Sequence, residues 1–289
     1  MVCKTVDSEE KANPMAGPKI DEIGPWTEVK LNILKRYATE YSKILSMQRK
    51  PAFKHVYIDA FAGAGYHLSR ASGEMVPGSP LNALVVNPPF REFHLVDLDG
   101  DKIDGLRALI GEREDVYLYH GDCNLVLLQQ VFPKVQFKDY RRGLCLLDPY
   151  KLTLNWEVVQ EAGAMESLDV FINFPIHDIN RTVLHHRPDG VSTANIARMT
   201  AYWGDDSWRK YAYEESEPDL FGNVDSEKVS NQKFAAAFRE RLRKVAGFKR
   251  VPEPLPMRNK KGSTVYYLFF ASHKDTAEHI VKYIFDNFG

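Results

Sequence analysis

The sequence predicts an α/β fold in which helices cover both faces of a mostly parallel sheet. Strand-like and helix-like segments alternate from about residue 55 to residue 173, the order that builds such a sheet. The strand-like segments are short and apolar, as in LCLL at 144–147, which is typical of strands buried on both faces. With 289 residues, 44% hydrophobic and 27% charged, the chain can bury a large core.

The individual elements follow from periodicity and from the residues that bound them. Apolar residues at helical spacing predict a first helix at 27–46. The predicted strands are 55–60, 93–98, 116–120, 143–147 and 168–173, and the helices between them are 80–86, 101–110, 124–131 and 156–165. Beyond Pro175 the chain is irregular to about residue 231, and then come a helix at 231–245, strands at 248–251 and 264–271, and a helix at 276–288.

One domain is predicted over 26–289, after a flexible tail at 1–25 that is charged and contains proline and glycine. Residues of about 182–245 are expected to form an inserted helical region that contacts a substrate or a partner. The long segment 67–79 is expected to be a flap beside the site.

Composition excludes several classes of protein. The formal net charge of −1 is not that of a chain that coats phosphate backbones. Cys3, Cys123 and Cys145 are far apart, which fits a reducing compartment and provides no set of metal ligands. No apolar run is long enough to span a bilayer, and the first residues lack the apolar stretch of a signal peptide. We therefore expect a cytoplasmic protein without a metal site.

The strongest motif is VYIDAFAGAGYH at 56–67. A strand ends in Asp59 and runs into Gly63 and Gly65, which would let the backbone approach a ligand closely at the carboxyl edge of the sheet. Asp59 could accept a hydrogen bond from an ammonium group. A tight turn without a ligand is the alternative. The motif lacks the third glycine of the dinucleotide fingerprint and the Gly-Lys-Ser/Thr of a phosphate-binding loop.

Three further segments place polar residues at predicted strand ends. In FHLVDLD at 93–99, Asp97 is positioned to bind ribose hydroxyls, and Asp99 can replace it in that role or cap the following helix. In HGDCN at 120–124, Asp122 can be a helix cap. LCLLDPYKL at 144–152 ends the fourth strand in Asp148, Pro149 and Tyr150, and NFPIHDINR at 173–181 ends the fifth in Asn173, followed by His177, a candidate general base. The alternative for the last segment is a local turn with a salt bridge.

These motifs in this order resemble those of class I methyltransferases, which use S-adenosylmethionine (SAM). DAFAGAG resembles the motif that wraps the methionine part of SAM. The resemblance implies a Rossmann-like class I methyltransferase fold with a seven-stranded sheet, and SAM as cofactor. It implies that Asp122 contacts the adenine amino group. The cofactor-binding residues expected from it are Asp59, Phe61, Ala62, Gly63, Gly65, Asp97, Asp122 and Cys123.

DPYKL resembles the (D/N)-P-P-(Y/F) motif of amino-group methyltransferases. In that family the acid or amide accepts a hydrogen bond from the target amine, and the aromatic ring stacks on a flat substrate. Asp148, Pro149 and Tyr150 are therefore expected to be catalytic, together with Asn173 and His177. The second proline of the motif is missing here, so that specificity for amines stays open.

The likeness extends to the three-Cys-motif partner (TcmP) family. It is carried by WTEVKLNIL at 26–34, YIDAFAGAG at 57–65, GSPLNAL at 78–84, LLDPYKL at 146–152 and INFPIHDINR at 172–181. Members of that family are bacterial and are encoded beside a protein with a three-cysteine motif, which implies a protein partner. Lys151 departs from the glycine expected after DPY, and the resemblance does not supply a substrate.

Three hypotheses follow: a methyltransferase for an amine of a nucleic acid or nucleobase-like acceptor, one for a small molecule or peptide, and a SAM-binding partner subunit without catalysis. A basic run, RERLRK at 239–244 with Lys249, Arg250, Arg258, Lys260 and Lys261, can bind phosphates or be a solvated helix face. The aromatic segment 202–213 can stack bases or form a small core. Lys30 can reach the cofactor carboxylate, although a solvated helix face is the favoured interpretation.

Overall fold

The computed structural model describes residues 20–185, 190–215 and 226–288. Its strands are β1 (Asp21–Ile23), β2 (Lys54–Asp59), β3 (Tyr66–Ser69), β4 (Met75–Pro77), β5 (Glu92–Asp97), β6 (Val116–His120), β7 (Arg141–Leu147), β8 (Leu168–Phe174), β9 (Tyr213–Glu215), β10 (Ser226–Lys228), β11 (Leu255–Arg258) and β12 (Thr264–Ala271). Its helices are α1 (Pro25–Met47), α2 (Ser79–Leu84), α3 (Gly100–Ile110), α4 (Cys123–Val126), α5 (Trp156–Ala164), α6 (Ile176–Thr182), α7 (Thr193–Trp203), α8 (Trp208–Ala212), α9 (Asn231–Lys244) and α10 (Asp275–Asp286).

A seven-stranded sheet in the order β11-β12-β8-β7-β2-β5-β6 organises the molecule. Strands β6, β5, β2, β7 and β8 pair in parallel, and β12 is antiparallel to both of its neighbours. The chain winds outward from β2 to β5 and β6, and then returns to β7 and β8 on the other side. This is a Rossmann-like class I methyltransferase fold, as the sequence predicted.

The reversal of winding creates a crevice between β2 and β7. In open α/β sheets, ligands bind outside the carboxyl ends of the strands at the point where the strand order reverses. Asp59 is the last residue of β2, and Asp148 follows β7 directly. The topology therefore brings together two acids that are 89 positions apart in the sequence.

Two apolar clusters hold the layers together, because successive side chains of a strand point to opposite faces of a sheet. Val56 and Ile58 of β2 belong to one cluster, and Tyr57 belongs to the other. Helices α5, α7 and α9 pack on the first face, and α1 and α10 pack on the second.

The described residues of the region 182–245 contribute to this core. Trp203 and Phe234 are completely buried, and their rings stack at 5.2 Å. The ring centroids of Phe174 in β8 and Phe238 in α9 are 4.6 Å apart. Because these aromatic residues join the main cluster, the prediction of a separate small core is wrong. Tyr202, Trp203 and Trp208 are at most 2% exposed, so they are not available to stack bases.

Other corrections concern element boundaries. Residues 248–251 form only one isolated bridge, Arg250 to Ser272, and the edge strand is β11 instead. Phe248 and Val251 lie in a loop, and their side chains are buried. The strand prediction was wrong here because a short run of buried apolar residues occurs in loops as well as in strands. The predicted helix 124–131 is α4 followed by a π-helical turn, Leu127–Val131.

The segment before α1 also differs from the prediction. The expected tail at 1–25 includes β1. This strand pairs with β3, and β3 pairs with β4, so the three strands form a small sheet that includes much of the 67–79 segment. Residues 1–19 lie outside the described residues. No described helix combines the length and the apolar character that crossing a membrane requires.

Gly163 of α5 gives a test of the packing. Helix propensity alone favours alanine over glycine by about 1 kcal/mol. A Cβ at this position would lie 1.9 Å from the carbonyl oxygen of Ala246. The Ala246 backbone cannot move aside as easily as the end of a flexible side chain can. We therefore expect Gly163→Ala to lower the free energy of unfolding by roughly 1–3 kcal/mol, as measured in urea titrations.

Gly190→Ala is the control, since its Cβ would meet no atom of the described residues within 4 Å. We expect it to change stability by less than about 0.5 kcal/mol. Equal stability of the two variants would contradict the packing of α5 against Ala246.

Candidate active site

The glycine loop after β2 has the backbone that only glycine adopts without strain. Gly63 and Gly65 have φ values of +67° and +93°. The amide of Gly63 donates to Asp97 Oδ2 at 2.8 Å, and the carbonyl of Gly65 accepts from the amide of Gly78 at 2.7 Å. A Cβ on Gly65 would lie 3.0 Å from both Leu106 and Leu109. The loop is therefore fixed by its neighbours.

Asp59 is a buried carboxylate that lacks a cationic partner among the described residues. It is 0% exposed, and it accepts hydrogen bonds from the Phe61 amide at 3.2 Å and the Tyr57 hydroxyl at 3.3 Å. Burial raises its pKa from 3.8 to about 6, although hydrogen bonds from Ser79 and Phe61 oppose the shift. A cation that reached this carboxylate would be strongly favoured.

Asp97 and Asp99 have different roles in the loop after β5. Asp97 is half-buried and accepts the amides of Gly63 and Asp99, at 2.8 and 2.9 Å. Asp99 caps α3 by accepting the amide of Asp101 at 3.0 Å. The cap interpretation of Asp99 is confirmed. Asp97 faces the glycine loop, which places its carboxylate beside the crevice.

Asp122 caps α4 through the amide of Asn124 at 2.8 Å, so this interpretation is also confirmed. Asn124 continues the network, because its side chain donates to the carbonyl of Thr153 and accepts from the amide of Asn155. These bonds tie the loop after β6 to the loop after β7.

Burial raises the pKa of the Cys123 thiol to about 12, so this thiol is unreactive near neutral pH.

Asp148 forms the centre of a polar cluster with Lys30 and Asn173. Lys30 Nζ forms an ion pair with Asp148 Oδ2, and Asn173 Nδ2 donates to Oδ1 at 2.8 Å. Lys30 is 4% exposed, so its interpretation as a solvated helix face is wrong. Its ammonium also lies 5.4 Å from the centroid of the Tyr266 ring.

The sequence contained a signal for this cluster that periodicity could have revealed. Lys30 precedes Leu34, Tyr37 and Tyr41 at helical spacing, and these three residues are the buried face of α1. A lysine on an apolar face is almost never buried unless it is paired.

Two residues of this cluster, Asn173 and Asp148, keep hydrogen-bonding capacity. Asn173 donates to a carboxylate through Nδ2, so its Oδ1 must be the free atom, and this buried oxygen has no partner among the described residues. Asp148 retains further lone pairs, since a carboxylate can accept about four hydrogen bonds. Both free acceptors suit a ligand that brings N–H donors.

Tyr150 and Pro149 differ sharply in burial. Pro149 is buried, whereas Tyr150 is 74% exposed, with its ring free beside the crevice. Lys151 has a φ of +62°, a left-handed conformation that strains any residue except glycine. This explains why a glycine would be expected at that position.

His177 is exposed at the start of α6 and forms no hydrogen bond with a described residue. Its neighbours Asp178 and Arg181 form a salt bridge at 2.8 Å, as one of the two interpretations predicted.

His67 of β3 was not predicted: it is half-buried over the glycine loop, and its Nδ1 lacks a described partner. Burial and the nearby Lys30 lower the pKa of His67.

The basic run divides into two groups. The first group forms ion pairs with carboxylates, which favours a solvated helix face over a phosphate site: Arg239, Arg243, Lys244, Lys249 and Arg250, of which Arg243 and Lys244 share Glu240. Arg258, Lys260 and Lys261 have no such partner among the described residues. They lie at the turn between β11 and β12, and the register of β12 with β8 places this turn at the carboxyl edge.

No protein-family model matches the chain, and a search of curated proteins finds no match. Solved structures resemble it at low identity. Protein LPL1258 from Legionella pneumophila is 10% identical, with 89% of this chain and 91% of that chain covered and a TM-score of 0.43. A candidate methyltransferase from Thermobifida fusca is 13% identical, with 86% and 80% covered and a TM-score of 0.44.

An S-adenosylmethionine-dependent methyltransferase from Mesorhizobium loti is 10% identical, with 81% of this chain and 97% of that chain covered and a TM-score of 0.33. Such low values assign neither a substrate nor a catalytic residue to this chain. The TcmP resemblance stays a prediction, and function has to be inferred from the site itself.

The raised pKa of Asp59 predicts how the free energy of unfolding depends on pH. Since its pKa is raised to about 6 in the folded protein, the folded state binds the proton more tightly than the unfolded chain does. This contribution is complete below about pH 4 and is lost as the pH rises through about 6. We expect Asp59→Asn to be stabilising at pH 7 by on the order of 2–3 kcal/mol, with little difference at pH 4.

The measurement is a set of urea titrations of both proteins from pH 4 to pH 8. A difference in unfolding free energy that did not change with pH would show that folding does not raise the pKa of Asp59.

Proposed function

We propose that this protein is a SAM-dependent methyltransferase that methylates an amine of a nucleic acid. The observation that carries the proposal is the free hydrogen-bond acceptors of Asp148 and Asn173 beside a fixed glycine loop at the reversal of strand order. Three hypotheses were open from the sequence, and this one accounts for the most features of the site.

The crevice fits SAM in its charges and in its apolar surface. Buried Asp59 lacks a cation, and the amino acid part of SAM carries an ammonium group. Asp97 is half-buried beside the loop and can bind ribose hydroxyls. Leu98, after β5, and Leu125 of α4 are 71% and 56% exposed, and such exposed leucines suit a flat purine. SAM would supply an activated methyl group on a sulfonium.

Asp148 and Asn173 would hold the acceptor amine by its N–H groups. This leaves the nitrogen lone pair free to form the new N–C bond as the C–S bond breaks and its electrons return to sulfur. The proton released from nitrogen passes to Asp148 or to water. Lys30 and Asn173 position Asp148, because each holds one of its two oxygens. Alignment of this kind accounts for much of the catalysis of such a displacement.

Two features favour a nucleic acid as the acceptor. The exposed ring of Tyr150 can stack on a base, an interaction worth about 1–3 kcal/mol. The unpaired cations of the β11–β12 turn lie at the same edge of the sheet and can contact phosphates. A small molecule or peptide is the second candidate, and the net charge of −1 favours it.

Membership of the TcmP family belongs to the same proposal. It rests on the five sequence segments alone, and it adds a partner protein encoded nearby. A cytoplasmic location is part of the proposal as well.

The first prediction concerns cofactor and catalysis. We expect calorimetry to show micromolar binding of SAM and S-adenosylhomocysteine by the wild-type protein. Asp97→Ala should weaken binding at least tenfold, because a hydrogen bond to a charged group is removed. Asp148→Ala should leave SAM affinity within about twofold and abolish transfer of labelled methyl groups to RNA or DNA.

Binding of neither compound would exclude the methyltransferase proposal for the isolated chain. Full transfer activity in Asp148→Ala would remove Asp148 from the mechanism. Unchanged affinity in Asp97→Ala would move the ribose role to Asp99.

The second prediction concerns the acceptor. Binding of a fluorescent single-stranded oligonucleotide should weaken with salt, and a Lys260→Gln, Lys261→Gln double variant should reduce the log–log slope by about 0.7 for each phosphate that is no longer neutralised. The matched control is Lys244→Gln with Lys249→Gln, because both of these lysines already pair with glutamates. Equal slopes for the two double variants would favour the small-molecule acceptor.

A further inference from the structure

A cavity of about 300 Å³ lies at the edge of the sheet opposite the candidate active site. It is enclosed by the second half of α1, the first residues of β7 and β8, and the start of α10. We propose that this cavity binds a small carboxylic acid built on a single ring. The proposal does not depend on the function proposed for the other edge.

The size and the walls of the cavity limit the ligand. Ligand sites usually measure about 300–1,000 Å³, so this cavity accommodates one ring and not a nucleotide. Tyr37 and Tyr41 form one wall, with ring centroids 6.2 Å apart, and Ile44 and Ala277 line it as well. A flat apolar body would pack against these side chains.

Two cations at the cavity, Arg142 and Lys274, form no ion pair within 4 Å among the described residues, although the charge of Asp169 acts on both. The Arg142 guanidinium lies 3.8 Å from the centroid of Phe137 and 4.6 Å from that of Phe53. Its Nη1 donates only to the backbone carbonyls of Phe137 and Arg141. Lys274 also lines the cavity without an ion pair. Because Arg142 is held between two rings, its remaining donors are directed without further ordering.

Buried polar atoms without partners point to a ligand independently. Tyr41 is 8% exposed and its hydroxyl forms no hydrogen bond within the described part of the chain. His273 is 9% exposed, and its ring interacts with the Gly163 backbone, but neither ring nitrogen has a partner at full hydrogen-bond geometry there. Buried polar groups are nearly always hydrogen-bonded, so these atoms require an explanation. A carboxylate would accept from Tyr41 and Arg142 together.

The charge balance favours a single negative charge. Asp169 is buried in the wall, but its oxygens already accept from Tyr37 at 2.7 Å and from Ser272, and burial raises its pKa. Glu166 at the rim pairs with Lys249 at 2.8 Å. Two cations therefore face one buried carboxyl group, each of whose oxygens already accepts one hydrogen bond. One ligand carboxylate would balance them.

The test titrates benzoate, with benzamide as its uncharged counterpart, into the full chain by saturation-transfer NMR. We expect benzoate to bind and benzamide to bind at least tenfold more weakly. Tyr41→Phe, which removes only the hydroxyl, should weaken benzoate binding several-fold, and Arg142→Gln should weaken it about tenfold or more. Arg36→Gln, an arginine of α1 outside this cavity, is the control and should not change it.

Three results would overturn the proposal: no binding of benzoate at millimolar concentration, equal binding of benzoate and benzamide, or benzoate binding that neither Tyr41→Phe nor Arg142→Gln weakens. Thermal unfolding of each variant establishes that a lost signal is not a lost fold. Tyr41→Phe keeps the ring in the core, so it serves if Arg142→Gln fails to fold.

Discussion

The reversal of strand order between β2 and β7 is the constraint on which the rest of this structure depends. It leaves a crevice at the carboxyl ends of two adjacent strands. Asp59 is the last residue of β2, and Asp148 directly follows β7. The two acids are stabilised differently. Asp148 has a buried lysine as its partner, whereas Asp59 has only hydrogen bonds from neutral groups. A carboxylate without a cation in such a place is costly unless a ligand supplies the charge.

The two edges of the sheet have different consequences for function. At the carboxyl edge, loops carry the glycines, the acids and the exposed Tyr150, which we propose bind the cofactor and the acceptor. At the other edge, α1 and α10 meet over the starts of β7 and β8 and leave a small cavity with unsatisfied polar atoms. Helix α1 contributes to both, through Lys30 near its start and Tyr41 near its end.

Prediction from sequence succeeded where the signal was local. The parallel strands, the glycine loop and the caps at Asp99 and Asp122 all depend on residues within a few positions of one another. It failed where distant segments decide. The position of Lys30 on the apolar face of α1 indicates a buried lysine, but its partner Asp148 is 118 positions away, and Arg250 could not be told from a phosphate ligand without Asp275. The aromatic residues of 202–213 suggest a local core, but Phe174 and Phe238 draw them into the main one.

The sequence by itself determined the fold class and the positions of the acids at strand ends, because alternation of periodicity and strand-terminal residues are local properties of the chain. Only the tertiary structure decided which charges are free. An ion pair depends on the meeting of two side chains. The register of β12 against β8 brings the turn with Lys260 and Lys261 to the carboxyl edge of the sheet, whereas Arg239 and Lys244 of α9 pair with Glu253 and Glu240.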